Sequence, residues 1–444
     1  MRERVRWRMV HAMRLVAFGV GYVGLVTGTG LAELGHDVLC VDIDPERIRQ
    51  LEDGIIPIYE PGLADLVRRN ERAGRLRFTT DLKAGIENAL AIFIAVGTPP
   101  KADGSPDLTF VRQVAEAVAL HMNEYKVVVT KSTVPTGTGK MIEKILREKN
   151  GRHEFSVVSN PEFLREGSAV ADFLRPDRVI IGASDARAVE VLKEIYSPLY
   201  LIETPFLITD VASAELIKYA SNGFLAVKIS FINEVARLCE LMGADVHDVA
   251  KGMGLDRRIG GKFLHPGPGF GGSCFPKDTS AVADLARQHG YEFRIIEATM
   301  RVNAETKARM IDKITAAAGP LEGRTAAVLG LSFKPETDDI RESPALAVVT
   351  DLERAGARVR AFDPASMENA RALHPRVHYA RDAYDCATGA DFVVLATEWN
   401  EFRALDLPRL AGLLGAKTMI DLRNVYDPAE MKAAGWRYAC VGRA

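Results

Sequence analysis

Residues 14–24, Arg14-Leu15-Val16-Ala17-Phe18-Gly19-Val20-Gly21-Tyr22-Val23-Gly24, decide the fold. A short apolar run suited to a buried strand meets a G-x-G-x-x-G turn, and a helical stretch follows to Leu34, where Gly35 ends it. A second strand over 37–41 then delivers Asp42, eighteen residues beyond Gly24. Strand, glycine turn, helix, strand and acid in that order form the pattern of a dinucleotide-binding unit. The glycines let a pyrophosphate approach backbone amides at a helix N-terminus, where the dipole favours negative charge. The Asp42 carboxylate can accept hydrogen bonds from ribose hydroxyls and repels a 2′-phosphate, which favours NAD over NADP; nearby Arg47 softens that preference.

Working outward, apolar runs at 91–96, 127–130, 156–158 and 179–182 alternate with polar helical segments, as expected of an extended parallel sheet. The polar segments 97–100, 131–135 and 160–166 each follow a strand, the side on which open α/β sheets bind ligands. From 213 to 242 the chain has no proline and one glycine, Gly223, which predicts a long helix, apolar on more than one face and suited to a dimer interface. On it Lys218 and Asn222 share a face, and Glu215 lies one turn before Lys218, either as part of a site or as an ordinary surface Glu–Lys pair. After Leu321 the pattern restarts, with strands expected at 325–329, 357–362, 391–396 and 417–420. This second doubly wound unit lacks G-x-G-x-x-G, and Lys334, Arg341 and Arg423 are its candidates for contacting phosphate or ribose. The fold class is therefore α/β, with two Rossmann-like doubly wound domains joined by a long central helix. The expected divisions are an N-terminal extension (1–12), a dinucleotide-binding domain (13–212), a central helical region (213–315) and a second Rossmann-like domain (316–444).

At 444 residues, 47% apolar and 26% charged with a formal charge of −2, the composition excludes disorder and offers no basic surface for nucleic acid. Five cysteines are scattered without a C-x-x-C pair, so neither zinc nor a redox disulfide is expected, and a reducing cytoplasm fits. Arg2, Arg4, Arg6, Arg8 and Arg14 precede a run that superficially suits a signal peptide or membrane anchor, but its glycines have the spacing of a nucleotide loop. Met13 is an alternative start, leaving the first twelve residues as a disordered extension.

The stretch Gly269-Phe270-Gly271-Gly272-Ser273-Cys274-Phe275-Pro276-Lys277-Asp278 places one thiol among flexible glycines, with an amine and a carboxylate three and four residues on. Pro276 delays helix formation until after the cysteine, which puts Cys274 on a loop. It is either a covalent nucleophile or a small buried apolar residue, with Asp278 merely capping a helix over 280–287.

From Met13 onward the chain resembles the UDP-glucose/GDP-mannose dehydrogenase family. The resemblance rests on Gly19 to Gly24, Gly97-Thr98-Pro99, Ser132-Thr133-Val134-Pro135, Asn160-Pro161-Glu162-Phe163-Leu164, Lys218 with Asn222, Gly269 to Asp278, and Phe333-Lys334-Pro335 through Asp338 to Arg341. It implies a nucleotide-sugar substrate whose primary alcohol becomes an aldehyde and then a carboxylate, with two NAD reduced per sugar. Phe263-Leu264 and the cysteine loop look most like members acting on UDP-glucose, with GDP-mannose or a UDP-N-acetyl sugar as alternatives. The resemblance makes Cys274 the nucleophile, Asp278 a base acting through a water held by Lys218 and Asn222, and Glu162 the base for hydrolysis, with Thr133 and Glu166 holding water and nicotinamide. Without it, Glu162 has a second reading as a helix-start carboxylate after Pro161. Gly19, Val20, Gly21, Tyr22, Val23, Gly24, Asp42, Arg47, Thr98, Lys277 and Arg341 are assigned to the cofactor. Phe163, Leu164, Arg165, Phe263, Leu264, Gly271, Lys334 and Arg423 go to the nucleotide-sugar, with Arg258 reaching it from a neighbouring subunit of a homodimer or higher oligomer. No metal, nucleic acid or membrane partner is implied. Two other readings fit parts of the pattern: a two-electron β-hydroxyacid dehydrogenase, and a non-catalytic NAD-responsive scaffold.

Overall fold

The computed structural model describes residues 12–101, 103–150 and 152–443, so the extension expected over 1–12 lies outside the described residues except for Ala12. The chain divides into two compact units after Ala220, within one helix.

The first unit is built on an eight-stranded sheet. Its strands are β1 (Arg14–Phe18), β2 (Asp37–Val41), β3 (Leu76–Thr79), β4 (Ala91–Ile94), β5 (Lys126–Thr130), β6 (Phe155–Ser159), β7 (Val179–Ala183) and β8 (Phe206–Thr209), in the order β3-β2-β1-β4-β5-β6-β7-β8. The first six run parallel in the doubly wound order, with β1 paired to both β2 and β4. Every residue of Ala-Ile-Phe-Ile in β4 is buried, because helices cover both faces of such a sheet. The expectation of a wholly parallel sheet is corrected at β7, which pairs antiparallel with β6. The connection between them carries only the short helix Ala169–Leu174, and it returns along the edge it left instead of crossing the sheet. That keeps Asn160 to Arg165 at the C-terminal edge. β3 and β8 were not anticipated; both are four-residue strands, and Leu-Arg-Phe-Thr offers too short an alternation to stand out.

Three helices matter here: α1 (Tyr22–Glu33), α2 (Thr138–Lys149) and the continuous α3 (Val211–Met242), which the lack of proline had indicated.

The second unit holds α4 (Phe275–Gln288) and α5 (Arg294–Ala308), followed by a six-stranded sheet. Its strands are β9 (Thr325–Leu329), β10 (Arg358–Phe362), β11 (His378–Tyr379), β12 (Phe392–Leu395), β13 (Thr418–Asp421) and β14 (Arg437–Cys440). All pairs are parallel in the order β11-β10-β9-β12-β13-β14, repeating the doubly wound order of the first unit. The short edge strands β11 and β14 carry no strong apolar run and were missed.

Candidate functional site

At the end of β1, Gly19 adopts φ +92°, and a Cβ there would lie 2.8 Å from the Ala95 carbonyl oxygen. Gly24 packs so tightly that a Cβ would fall 1.8 Å from the Gly19 oxygen. Gly21, in contrast, caps α1 and has nothing within 4 Å of where its side chain would be. The outer two glycines are thus needed by the turn itself, while the middle one opens space over the first amides of α1, where a pyrophosphate fits. Asp42 Oδ2 accepts from the Val20 amide at 2.8 Å, which fixes the carboxylate beside the turn, with Arg47 3.7 Å away. These residues fit a bound NAD. Val23 is partly buried, and the Tyr22 hydroxyl donates to Glu60, which also accepts from the amides of Gly167 at 2.6 Å and Ala169 at 2.7 Å. Glu60, a buried acid in a loop with no motif around it, carries no signal in the sequence.

Beyond β4 and β5, the Thr98 hydroxyl donates to the Thr133 carbonyl at 2.9 Å, joining two of the strand-end segments. At the end of β6, Glu162 Oε1 meets Lys218 Nζ at 2.8 Å, both side chains being 5% exposed. Glu162 Oε2 accepts from the Leu164 amide at 2.6 Å. Burial alone would push the Glu162 carboxyl up; the Lys218 ammonium, the Leu164 amide and the Lys131 charge outweigh it and hold the group below the usual carboxylate range. The Phe163 ring lies between Arg178, 3.5 Å from its centroid, and Lys218, at 5.3 Å. Glu166 is buried nearby in sequence, whereas Arg165 points outward and pairs with Asp172 at 2.5 Å. The surface Glu215–Lys218 pair is not formed. Glu215 is buried and accepts from the amides of Gly137 and Gly139, each at 2.7 Å, so it closes the start of α2.

In the second unit, Cys274 is the residue immediately before α4, with Pro276 in the first turn as expected. The other four cysteines are buried, and burial pushes their thiols up, Cys40 and Cys440 to about 12; Cys274 alone is partly exposed. Asp278 sits one helical turn on, its amide donating to the Cys274 carbonyl at 2.8 Å. The Asp278 carboxylate is 1% exposed and does not cap the helix. Instead Oδ2 accepts from Asn222 Nδ2 at 2.6 Å and Oδ1 from Lys277 Nζ at 2.5 Å. Asn222 thus reaches Asp278 directly, and Lys277, expected at the cofactor, is placed against the carboxylate.

The glycine loop is held by two asparagines that carried no sequence signal, since each stands mid-helix without a motif. Asn303 on α5 brackets Phe270, accepting from its amide at 2.8 Å and donating to its carbonyl at 3.1 Å, and Asn233 accepts from the Gly267 amide at 2.9 Å. Gly271 is explained by the protein itself: a Cβ would lie 2.2 Å from the Glu342 carbonyl oxygen. Leu264 is packed in the apolar core of this unit, while Phe263 adopts φ +66° and meets Phe275 edge-on. Arg423 is held by the carbonyls of Ala396 and Phe333 at 2.9 and 2.8 Å and by Glu398 at 3.1 Å; Lys334 lies over the Phe333 ring. Arg341 pairs with Asp339 at 2.8 Å, and Arg258, its side chain 89% exposed, with Asp256 at 2.6 Å.

Three models of the UDP-glucose/GDP-mannose dehydrogenase family match the chain: the NAD binding domain over residues 13–200, the central domain over 212–305 and the UDP binding domain over 327–428. A UDP-glucose 6-dehydrogenase of Rhizobium meliloti is 54% identical, the alignment covering 97% of this chain and all of the relative. UDP-glucose 6-dehydrogenase TuaD of Bacillus subtilis is 47% identical over 97% of this chain and 93% of its own. Among solved structures, a UDP-glucose dehydrogenase from Pyrobaculum islandicum superposes with a TM-score of 0.92 at 41% identity, covering 99% of this chain and 100% of the other.

Proposed function

Because this chain belongs to the UDP-glucose/GDP-mannose dehydrogenase family, we propose that it oxidises the primary alcohol of UDP-glucose in two NAD-dependent steps to the carboxylate of UDP-glucuronate. The observation that carries the chemistry is the partly exposed Cys274 one helical turn from the buried, doubly held Asp278. When bound, NAD supplies the hydride acceptor for each oxidation, and Asp42 with the Gly19–Gly24 turn orients it.

In the first step Asp278, held by Asn222 and Lys277, receives the proton of the sugar hydroxyl, and Lys218 stabilises the oxygen as negative charge develops. The aldehyde cannot lose a second hydride until a nucleophile adds. Cys274 Sγ bonds to its carbon, giving a thiohemiacetal and, after the second oxidation, a thioester. Glu162 takes a proton from the attacking water; the C–S bond breaks, releasing the carboxylate and restoring the thiol. Thr133 and Glu166 position water, and Phe163, Lys334 and Arg423 hold the nucleotide-sugar.

The enzyme assembles through α3. Phe224, Phe231 and Leu238 recur every seven residues and are 64%, 50% and 54% exposed, a seam that suits the same helix of a second copy. Arg258 then acts in the neighbouring subunit's site. A reducing cytoplasm suits the five scattered cysteines, none of which forms a disulfide among the described residues.

A panel of nucleotide-sugars, with product mass and NADH counted per sugar, tests this reading. Two NADH per UDP-glucose, with a carboxylate product, is expected. One NADH per sugar would move the protein to two-electron chemistry, and no turnover on any sugar would leave the non-catalytic reading.

A further inference from the structure

Lys131, the first residue after β5, is a buried cation for which the reaction above has no use. Its side chain is enclosed, with Nζ donating to Asn160 Oδ1 at 3.0 Å and to the Tyr196 hydroxyl at 3.3 Å. Tyr196 also donates to Asn160 Oδ1, at 2.7 Å. Asn160 is tied on its other sides as well, its Nδ2 to the Ile180 carbonyl at 2.7 Å and its amide to the Thr130 carbonyl at 2.9 Å. Asn160 stands two residues before Glu162, so this closed set of bonds pins the turn that carries the carboxylate. A buried ammonium is costly unless something repays it. Here the Lys131 charge acts on Glu162 together with that of Lys218.

We propose that Lys131 is a positioning residue for the oxidation: clamped between Asn160 and Tyr196, it fixes the Glu162 turn and supplies the second positive charge against which the Glu162–Lys218 pair is set. Burial, with the like charge of Lys218, pulls Lys131 down to about 8 against the opposing pull of Glu162, so the three groups are electrically linked.

The proposal rests on the dehydrogenase reading, and the test separates the two. Wild-type turnover with two NADH per sugar stands by itself; Lys131 is then judged on the pH profile of kcat. In Lys131→Met, Glu162 loses a stabilising cation, so the acid limb should move up by about one pH unit, with kcat reduced ~10-fold or more and KM little changed. Lys131→Arg keeps the charge and should return the acid limb to within about half a unit of wild type. If Lys131→Met does not fold, Asn160→Asp places a carboxylate against Lys131 and should shift the acid limb the same way. An acid limb that stays in place in the folded variant overturns the proposal, whatever happens to kcat.

Discussion

The side-chain amide of Asn222, on α3, donates to the carboxylate of Asp278, on α4, across 2.6 Å, with both groups buried. An amide here gives Asp278 a neutral donor on one oxygen, while Lys277 occupies the other. Replacing Asn222 by aspartate puts a second carboxylate at hydrogen-bonding distance, and two such groups share a proton. If Asp278 takes the hydroxyl proton, the acid limb of the first hydride transfer, followed in a single turnover, should rise by about one pH unit or more, with ~10–100-fold lost at neutral pH and partly recovered in base. An acid limb in its wild-type position would remove Asp278 from proton transfer.

Cys274→Ser tests the covalent step. A hydroxyl is a far weaker nucleophile than a thiol near neutral pH, so UDP-glucuronate output should fall by ~1,000-fold or more, while UDP-glucose binding measured by calorimetry changes little. Quenched wild-type enzyme in turnover should carry the sugar nucleotide on the peptide containing Cys274. Output from the serine variant within tenfold of wild type would refute the thioester route.

Most of the architecture was legible because it is written in local patterns. The glycine turn, Asp42 and the buried runs of β1, β4, β9 and β12 announce themselves through period and punctuation, and proline-free α3 does so through length. What stayed hidden depends on tertiary partners. The antiparallel β7 follows from the route of a connection, which no residue spells out. Asn303 and Asn233 look like any polar residue in a helix until the glycine loop lies against them. Glu215 and Lys218 sit at the spacing of a surface pair, and each instead found a buried partner from another element. Gly271 carries a second demand that no local pattern reveals, since a Cβ there would lie 2.2 Å from the Glu342 carbonyl oxygen.

Glu215 gives a stability prediction with a definite sign. Burial, only partly offset by the Gly139 and Gly137 amides, pushes its carboxyl up to about 7. An acid raised above its unfolded value contributes stability that is fully present below about pH 4.5 and lost as pH rises through 7. Glu215→Gln cannot ionise but sets a donor against one of the two amides, so the variant should start below wild type near pH 4.5 and gain on it up to pH 8, by about 3 kcal/mol at most. Thermal unfolding of both proteins across that range checks this; a gap that does not change with pH would mean that the two amides keep Glu215 ionised throughout.

Assembly through α3 and the role of Arg258 can be tested together. Phe231→Glu places a charge in the middle of the exposed apolar seam and should shift sedimentation toward the 48.6 kDa single chain. Arg258 is turned to solvent, its side chain 89% exposed and paired with Asp256, which is what a residue reaching into another subunit requires. Arg258→Ala and Cys274→Ser should each be nearly inactive when expressed alone. Co-expressed, they form hybrids in which the subunit retaining Cys274 is completed by the Arg258 of its neighbour. With equal amounts and random pairing, half the dimers are hybrid and one site in each works, so activity should return to about a quarter of wild type. If Arg258 served its own subunit, the intact cysteine and the intact arginine would never share a site, and co-expression would restore nothing.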